Sequence, residues 1–217
     1  MKLLTCALFA SLYFVCQTSL LTAGMIDITR PGDAIQLVSG VNQSDGADGP
    51  PPAGEVVSHA IDDIGQKYLN FLDLNSGFSV TPTNNQLTVT GLRLYTANDA
   101  VPRDPASYQL FGSMDTIAGP WSAISSGNLE LPDGRNAGGG AVVIPPTGNP
   151  AAFHQEILFD NDIAWDHYQL IFPTLKDAEA ANSMQIAEVE LLTVPEPATA
   201  TLAAFALLGL IAYRRRR

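Results

Sequence analysis

Leu87-Thr88-Val89-Thr90-Gly91-Leu92-Arg93-Leu94 is the stretch whose reading decides the fold. Leu87 and Val89 alternate with threonines, the two-residue period of a strand with one buried face. Gly91 interrupts, and Leu92 and Leu94 resume in the opposite phase, which predicts a β-bulge at the glycine. Moving outward, the same short alternation returns at Tyr108 and Leu110. It recurs at Phe153, Gln155, Ile157 and Phe159, then at Tyr168, Leu170 and Phe172, and last at Met184, Ile186, Val189 and Leu191. From Ile26 to Leu192 no window of a dozen residues keeps a helical period, and the breaks fall at Gly, Pro, Asn and Asp. About eight short strands of this kind predict an all-β chain folded as an antiparallel, jelly-roll-like β-sandwich. The Gly/Pro-rich run from Leu131 to Pro150 predicts a long exposed connection, and Asn42 to Gly54, with Pro50-Pro51-Pro52, is excluded from regular structure.

The two ends read differently from this middle. Met1-Lys2, an apolar run from Leu3 to Val15 and small Thr22-Ala23-Gly24 describe a secretory signal peptide over residues 1–24. Both cysteines, Cys6 and Cys16, lie inside it, so the remaining chain has no thiol for disulfides, catalysis or zinc. At the other end Pro195-Glu196-Pro197 precedes an apolar stretch, 198–213, and then Arg214, Arg215, Arg216 and Arg217. Sixteen residues at ~1.5 Å rise give a transmembrane helix of about 24 Å, with the arginines as a stop-transfer block. Between residues 25 and 194 six Lys/Arg stand against 21 Asp/Glu, a net of −15, within a formal −11 for the 217 residues. So acidic a surface repels phosphate backbones and excludes nucleic-acid binding.

The tripartite tail over residues 195–217 resembles the PEP-CTERM sorting signal of Gram-negative bacteria. The resemblance implies an exosortase, a membrane cysteine transpeptidase, as processing partner. It also implies an inner-membrane-anchored precursor that ends at the cell surface or in the extracellular matrix. A second resemblance lies in Ala60-Ile61-Asp62-Asp63 with Lys67-Tyr68-Leu69-Asn70-Phe71, and in Thr96-Ala97-Asn98-Asp99 with Arg103 to Ser113. Trp121, Tyr168-Gln169-Leu170 and Asn182 to Leu191 continue it. In this order, over residues 55–192, they resemble a discoidin-like domain, also called coagulation-factor type C or galactose-binding-like. The resemblance implies an eight-stranded sandwich over 25–194 that binds glycans, lipids or proteins through loops at one end.

Glu188 is in phase with Met184 and Ile186, so an unbroken strand points its charge at the core side; a bulge at Ala187-Glu188 turns it to solvent instead. An inward carboxylate needs a cation or strong hydrogen bonds. The discoidin resemblance implies a Ca²⁺ ion held by Asp62 or Asp63, the Lys67 carbonyl and Glu188, oxygen ligands suited to that ion. Asp160, Asp162 and Asp166 do not have EF-hand spacing and read as a solvated loop. Asp99 and Arg103 flank a turn before Asp104-Pro105. Arg103 is expected to pair with one of the aspartates, and the loop is a candidate ligand contact. Trp121, after Gly119-Pro120, reads as packing, whereas Trp165 in its acidic loop is the candidate stacking platform for a sugar ring.

His59, His154 and His167 stand in no nucleophile or metal motif, and Gly-x-Ser-x-Gly, His-Glu-x-x-His and phosphate-binding glycine loops are absent from the sequence. The expectation is therefore a non-catalytic, exported surface or matrix protein that binds extracellular polysaccharide. A purely structural matrix protein and a polysaccharide hydrolase with unrecognised paired carboxylates are the alternatives.

Overall fold

The computed structural model describes residues 24–38, 52–72, 74–85, 87–136 and 153–194. The chain divides into two units, residues 1–26 with 194–217 and residues 27–193. Nearly all of the first, including the predicted signal peptide, the Pro-Glu-Pro motif and the span 198–213, lies outside the described residues. Among the described residues no helix is long and apolar enough to cross a membrane.

The regular structure of the described residues is built mainly from strands. They are β1 (Ile26–Asp27), β2 (Ala34–Leu37), β3 (Tyr68–Asn70), β4 (Ser76–Thr81), β5 (Gly91–Tyr95) and β6 (Ser107–Ser113), then β7 (Ser122–Asn128), β8 (His154–Leu158), β9 (His167–Phe172), β10 (Met184–Ile186) and β11 (Glu188–Thr193). One sheet runs β2-β4-β9-β6-β7, a second β1-β11-β5-β8, and a short pair β10-β3 stands beside them. The ladders joining β2, β4, β9, β6 and β7, those joining β11, β5 and β8, and the β10–β3 pair are antiparallel, and the residues between the sheets alternate as a sandwich requires. Phe78 and Val80 of β4, Tyr168, Leu170 and Phe172 of β9, and Leu110 of β6 face Leu92 and Leu94 of β5 and Val189 and Leu191 of β11 in one core. Each such side chain contributes roughly 1.5–3 kcal/mol by leaving water. Gly77 lets β4 run close to β9: a Cβ there would sit 2.0 Å from the Leu170 carbonyl oxygen.

Three expectations change here. Leu87 to Thr90 form no strand; β5 starts at Gly91, and the phase change marks a strand beginning rather than a bulge. The register shift of the larger sheet lies in the β6–β7 ladder, where Leu110 faces Ser125 but Phe111 faces Ala123, leaving Ile124 extra. The second change concerns the long connection. Its first part is fixed, with Leu131 and Asn136 buried, and Asn136 Nδ2 donating to the carbonyls of Thr96 (2.9 Å) and Gly65 (3.3 Å); residues 137–152 lie outside the described residues. Third, Ala187 separates β10 from β11 and reverses the phase, so Val189 and Leu191 turn inward while Glu188 and Glu190 share the opposite face with Tyr95 and Arg93. Glu188 does not reach solvent on that face, because the segment around Asp62 covers it.

Strand direction fixes what each end of the sandwich carries. Thr81, Ser113, Ser122 and His167 lie at one end, with the β4–β5, β6–β7 and β8–β9 connections. The β5–β6, β7–β8 and β9–β10 connections lie at the other.

Candidate functional site

A 3-10 turn, Val57–Ile61, ends at Asp62, and Asp63 follows in the left-handed region at φ 59°. The Asp62 carboxylate holds this corner by accepting from the Ile64 N–H (3.0 Å) and contacting His59 Nδ1 (2.5 Å). The corner directs the N–H groups of Asp62 and Asp63 at Glu188 Oε2, which accepts both, at 3.1 and 3.0 Å. The other oxygen, Oε1, is buried without a hydrogen-bond partner among the described residues. Burial first, then the charges of Asp62, Asp27 and Asp63, raise the Glu188 carboxyl well above the ordinary range. Asp27 accepts from the Thr29 N–H (2.8 Å) and hydroxyl (2.5 Å), yet burial and its acidic neighbours push it up to about 7. Asp63 is raised as well, by burial and by Asp62, against the opposing Arg30.

The structure therefore brings Asp62, Asp63 and Glu188 together and adds Asp27, which sequence reasoning missed. Its alternation with Ile26 and Ile28 was the available signal. Lys67, expected to contribute its carbonyl, is 9% exposed and pairs its ammonium with Asp99 (2.8 Å) and Glu55 (3.4 Å). Among the described residues no three acidic or imidazole side chains converge in metal-ligand geometry.

Farther along the same face, Arg93 joins Glu190 and Glu156, with Nη2 2.8 Å from Glu156, and the Tyr95 hydroxyl donates to Glu190 at 3.0 Å. Burial raises the Glu190 carboxyl against the pull of Arg93 and Tyr95.

At the loop end, the expected pairing of Arg103 with Asp99 or Asp104 does not form. Asp104, fully buried, is gripped by both Arg135 nitrogens (2.8 and 2.7 Å) and lies 3.3 Å from Lys176 Nζ. Gln185 Nε2 donates to the Asp99 and Ala100 carbonyls at 2.7 and 3.1 Å. This buried hub ties the β5–β6, β7–β8 and β9–β10 connections to β10, the fork of a bidentate Arg–carboxylate pair fixing the angle. On top of it the 3-10 turn Val101–Arg103 presents the Arg103 guanidinium, half-buried and without a partner among the described residues. The Asp99 carboxylate stands nearby in sequence, its side chain 47% exposed. Hub members 31 residues apart in the chain leave no local pattern, so the sequence reading did not find them.

Trp165 lies at the opposite end, in the β8–β9 connection, and does not join Asp99 and Arg103. Its ring packs on the core across Gly112 of β6, where a Cβ would stand 2.3 Å from Trp165 Cγ. It is a plug and not an exposed platform. Trp121 is half-buried beside Gly119, in agreement with a packing role. Asp166 accepts from Asn85 Nδ2 (2.9 Å), while Asp160 and Asp162 face solvent.

Comparison with known proteins adds to this geometry. The PEP-CTERM protein-sorting motif family matches residues 193–217. The chain carries a PEP-CTERM sorting motif. Such a motif marks an exported protein sorted to the envelope or surface. No curated protein matches the chain. Among solved structures, the family 32 carbohydrate-binding module of Clostridium perfringens NanJ, solved with galactose, is 13% identical. The match covers 78% of this chain and 99% of that one at a TM-score of 0.52. The Clostridium perfringens ZmpB structure, which holds two such modules and an M60 catalytic domain, is 14% identical, and 77% of this chain covers 15% of it at a TM-score of 0.50. The PEP-CTERM chain thus has the discoidin-like β-sandwich fold of these modules.

Proposed function

We propose that this PEP-CTERM chain is a non-catalytic module that binds extracellular polysaccharide through the loop end carrying Asp99 and Arg103. One observation carries the reading: at a loop end fastened by the buried Asp104 hub, the Arg103 guanidinium has no partner among the described residues, and the half-exposed Asp99 carboxylate is fixed by Lys67 at 2.8 Å. Preorganised polar groups on a stiff support bind hydroxyl-rich ligands at low ordering cost. The fold shared with galactose-binding modules supports it by analogy. The neighbouring acidic corner is the candidate seat of a structural Ca²⁺ ion: a hard dication at the buried Glu188 Oε1, which has no hydrogen-bond partner among the described residues, with main-chain carbonyls such as that of Lys67, would offset carboxylates raised chiefly by burial and further by one another. Processing at Pro195-Glu196-Pro197 by an exosortase then releases or transfers the protein from the inner membrane.

A glycan array probed with the purified full chain, in calcium, tests the binding reading. Saturable binding to one sugar class that falls at least tenfold in Arg103→Ala is expected. A blank array on folded protein transfers the weight to a structural matrix role. For sorting, Glu196→Ala in the native host is expected to accumulate unprocessed precursor, and normal processing of that variant counts against an exosortase.

A further inference from the structure

The two large sheets differ in electrical character. None of β2, β4, β6, β7 and β9 contains an Asp, Glu, Lys or Arg, although the chain holds 33 such residues among 217. The facing sheet holds Glu188, Glu190, Arg93, Glu156 and Asp27 on its outer surface. The register sets out the neutral outer face in rows. Gln36, Ser79, Gln169, Phe111 and Ala123 form one, and Gly77, Ile171, Gln109 and Ser126 the next. Part of it is already satisfied internally, since Gln169 Nε2 donates to Ser79 Oγ (3.1 Å) and Gln36 Nε2 to the Ile117 carbonyl (3.1 Å).

The β6–β7 end of the face is open. There the extra residue Ile124 bends β7 away, as a bulge does. It leaves a hollow of about 290 Å³ lined by Gln109, Phe111, Ala123, Ile124, Ser125 and Ser126. That is near the lower size limit of ligand sites, about 300 Å³. Ser125 Oγ is engaged by the Tyr108 hydroxyl (2.9 Å), but the exposed Gln109 carboxamide and Ser126 hydroxyl have no side-chain hydrogen-bond partner among the described residues.

We infer that this hollow is a second binding site, distinct from the Asp99–Arg103 loop end, and that it takes the sugar rings of a neutral polysaccharide. An aromatic ring flanked by a carboxamide and a hydroxyl matches a pyranose, which offers an apolar C–H face and a rim of hydroxyls. The absence of charge sets the class of glycan. A uronate-bearing polymer meets a protein of net −15 between residues 25 and 194 and finds no Lys or Arg in the five strands of this face to offset it. A neutral polymer avoids that repulsion, and no ion has to be desolvated to seat it.

Affinity electrophoresis of the full chain in detergent, through gels containing galactomannan or polygalacturonate, tests the assignment. Galactomannan is expected to retard the chain and polygalacturonate to leave it unshifted. Ser126→Glu, a surface change that fills the hollow with a charge, is expected to weaken retardation at least tenfold, and Phe111→Ala likewise, while Phe111→Tyr retains it. Arg103→Ala separates the two sites by leaving the hollow intact. Retardation lost in Arg103→Ala but unchanged in Ser126→Glu overturns the hollow and leaves the loop-end reading standing. The reverse pattern supports the hollow. Equal retardation by both polymers, or none by galactomannan, also overturns it.

Discussion

The acidic corner is expected to make stability fall as pH rises, opposite to the usual behaviour of carboxylates in a folded protein. Asp27 goes from an ordinary value of 3.8 to about 7, burial being the largest cause. An acid with a raised folded pKa keeps its proton longer in the folded chain than in the unfolded one. Below about pH 4 both states hold the proton and the stability is complete; between about 4 and 7 the unfolded chain ionises first, and each unit costs ~1.4 kcal/mol per such group. From pH 5 to 7 Asp27 alone therefore removes about 3 kcal/mol, a sizeable part of a typical 5–15 kcal/mol total. Glu188 and Glu190 shift in the same direction and steepen the fall. The assay is urea unfolding of the full chain in chelator at pH 5, 6, 7 and 8 at fixed ionic strength, followed by tryptophan fluorescence. At m-values of about 1–3 kcal/mol/M, the midpoint is expected to drop by roughly 1–3 M between pH 5 and 7. Asp27→Asn keeps an oxygen for the Thr29 N–H and hydroxyl but cannot ionise, so its slope is expected to be shallower by one proton. Midpoints that climb with pH through this window, or a variant with the full slope, would refute the reasoning.

Further outcomes are expected from the same geometry. Gly112→Ala drives a methyl group into the Trp165 ring and is expected to cost ~1–3 kcal/mol in chemical denaturation, with red-shifted tryptophan emission as the ring moves toward water. Asp104→Ala strips Arg135 and Lys176 of their buried partner and is expected to lose about 3–5 kcal/mol by the same measurement. Millimolar CaCl2 is expected to raise the Tm in a chelator-reversible way. Glu188→Gln is expected to abolish that response while raising metal-free stability at pH 8, because the amide carries no buried charge; a variant that still responds to calcium would remove Glu188 from the site.

What could be read in the sequence followed from how far apart the cooperating residues stand. Strands with aliphatic or aromatic alternation, such as Tyr168-Leu170-Phe172 and Leu92-Leu94, announce their buried face within a few positions. Ser122–Asn128 does not, because an edge strand of serines, glycine and asparagine packs little and alternates nothing. The break at Ala187 was visible as a change of phase, but the fate of Glu188 depended on a corner 125 residues away. A separation of 31 residues likewise hid the Asp104–Arg135 pair and left Arg103 as the local candidate partner. Trp165 misled for another reason: its acidic neighbours suggest solvent, while the space above Gly112 that receives the ring belongs to a different strand.

The Asp104 hub has a consequence for where this sandwich can mature. Both cysteines of the chain sit at positions 6 and 16, so no disulfide can form within Asp27–Thr193. The connections at the loop end are fastened by a guanidinium fork, an ammonium and a carboxamide around one carboxylate. That closure forms when the loops meet, requires neither oxidant nor isomerase, and cannot be undone by thiols. Because the carboxylate is sealed from solvent, salt screens it weakly. A domain fastened this way does not depend on an oxidising compartment, as a sandwich held by disulfides does.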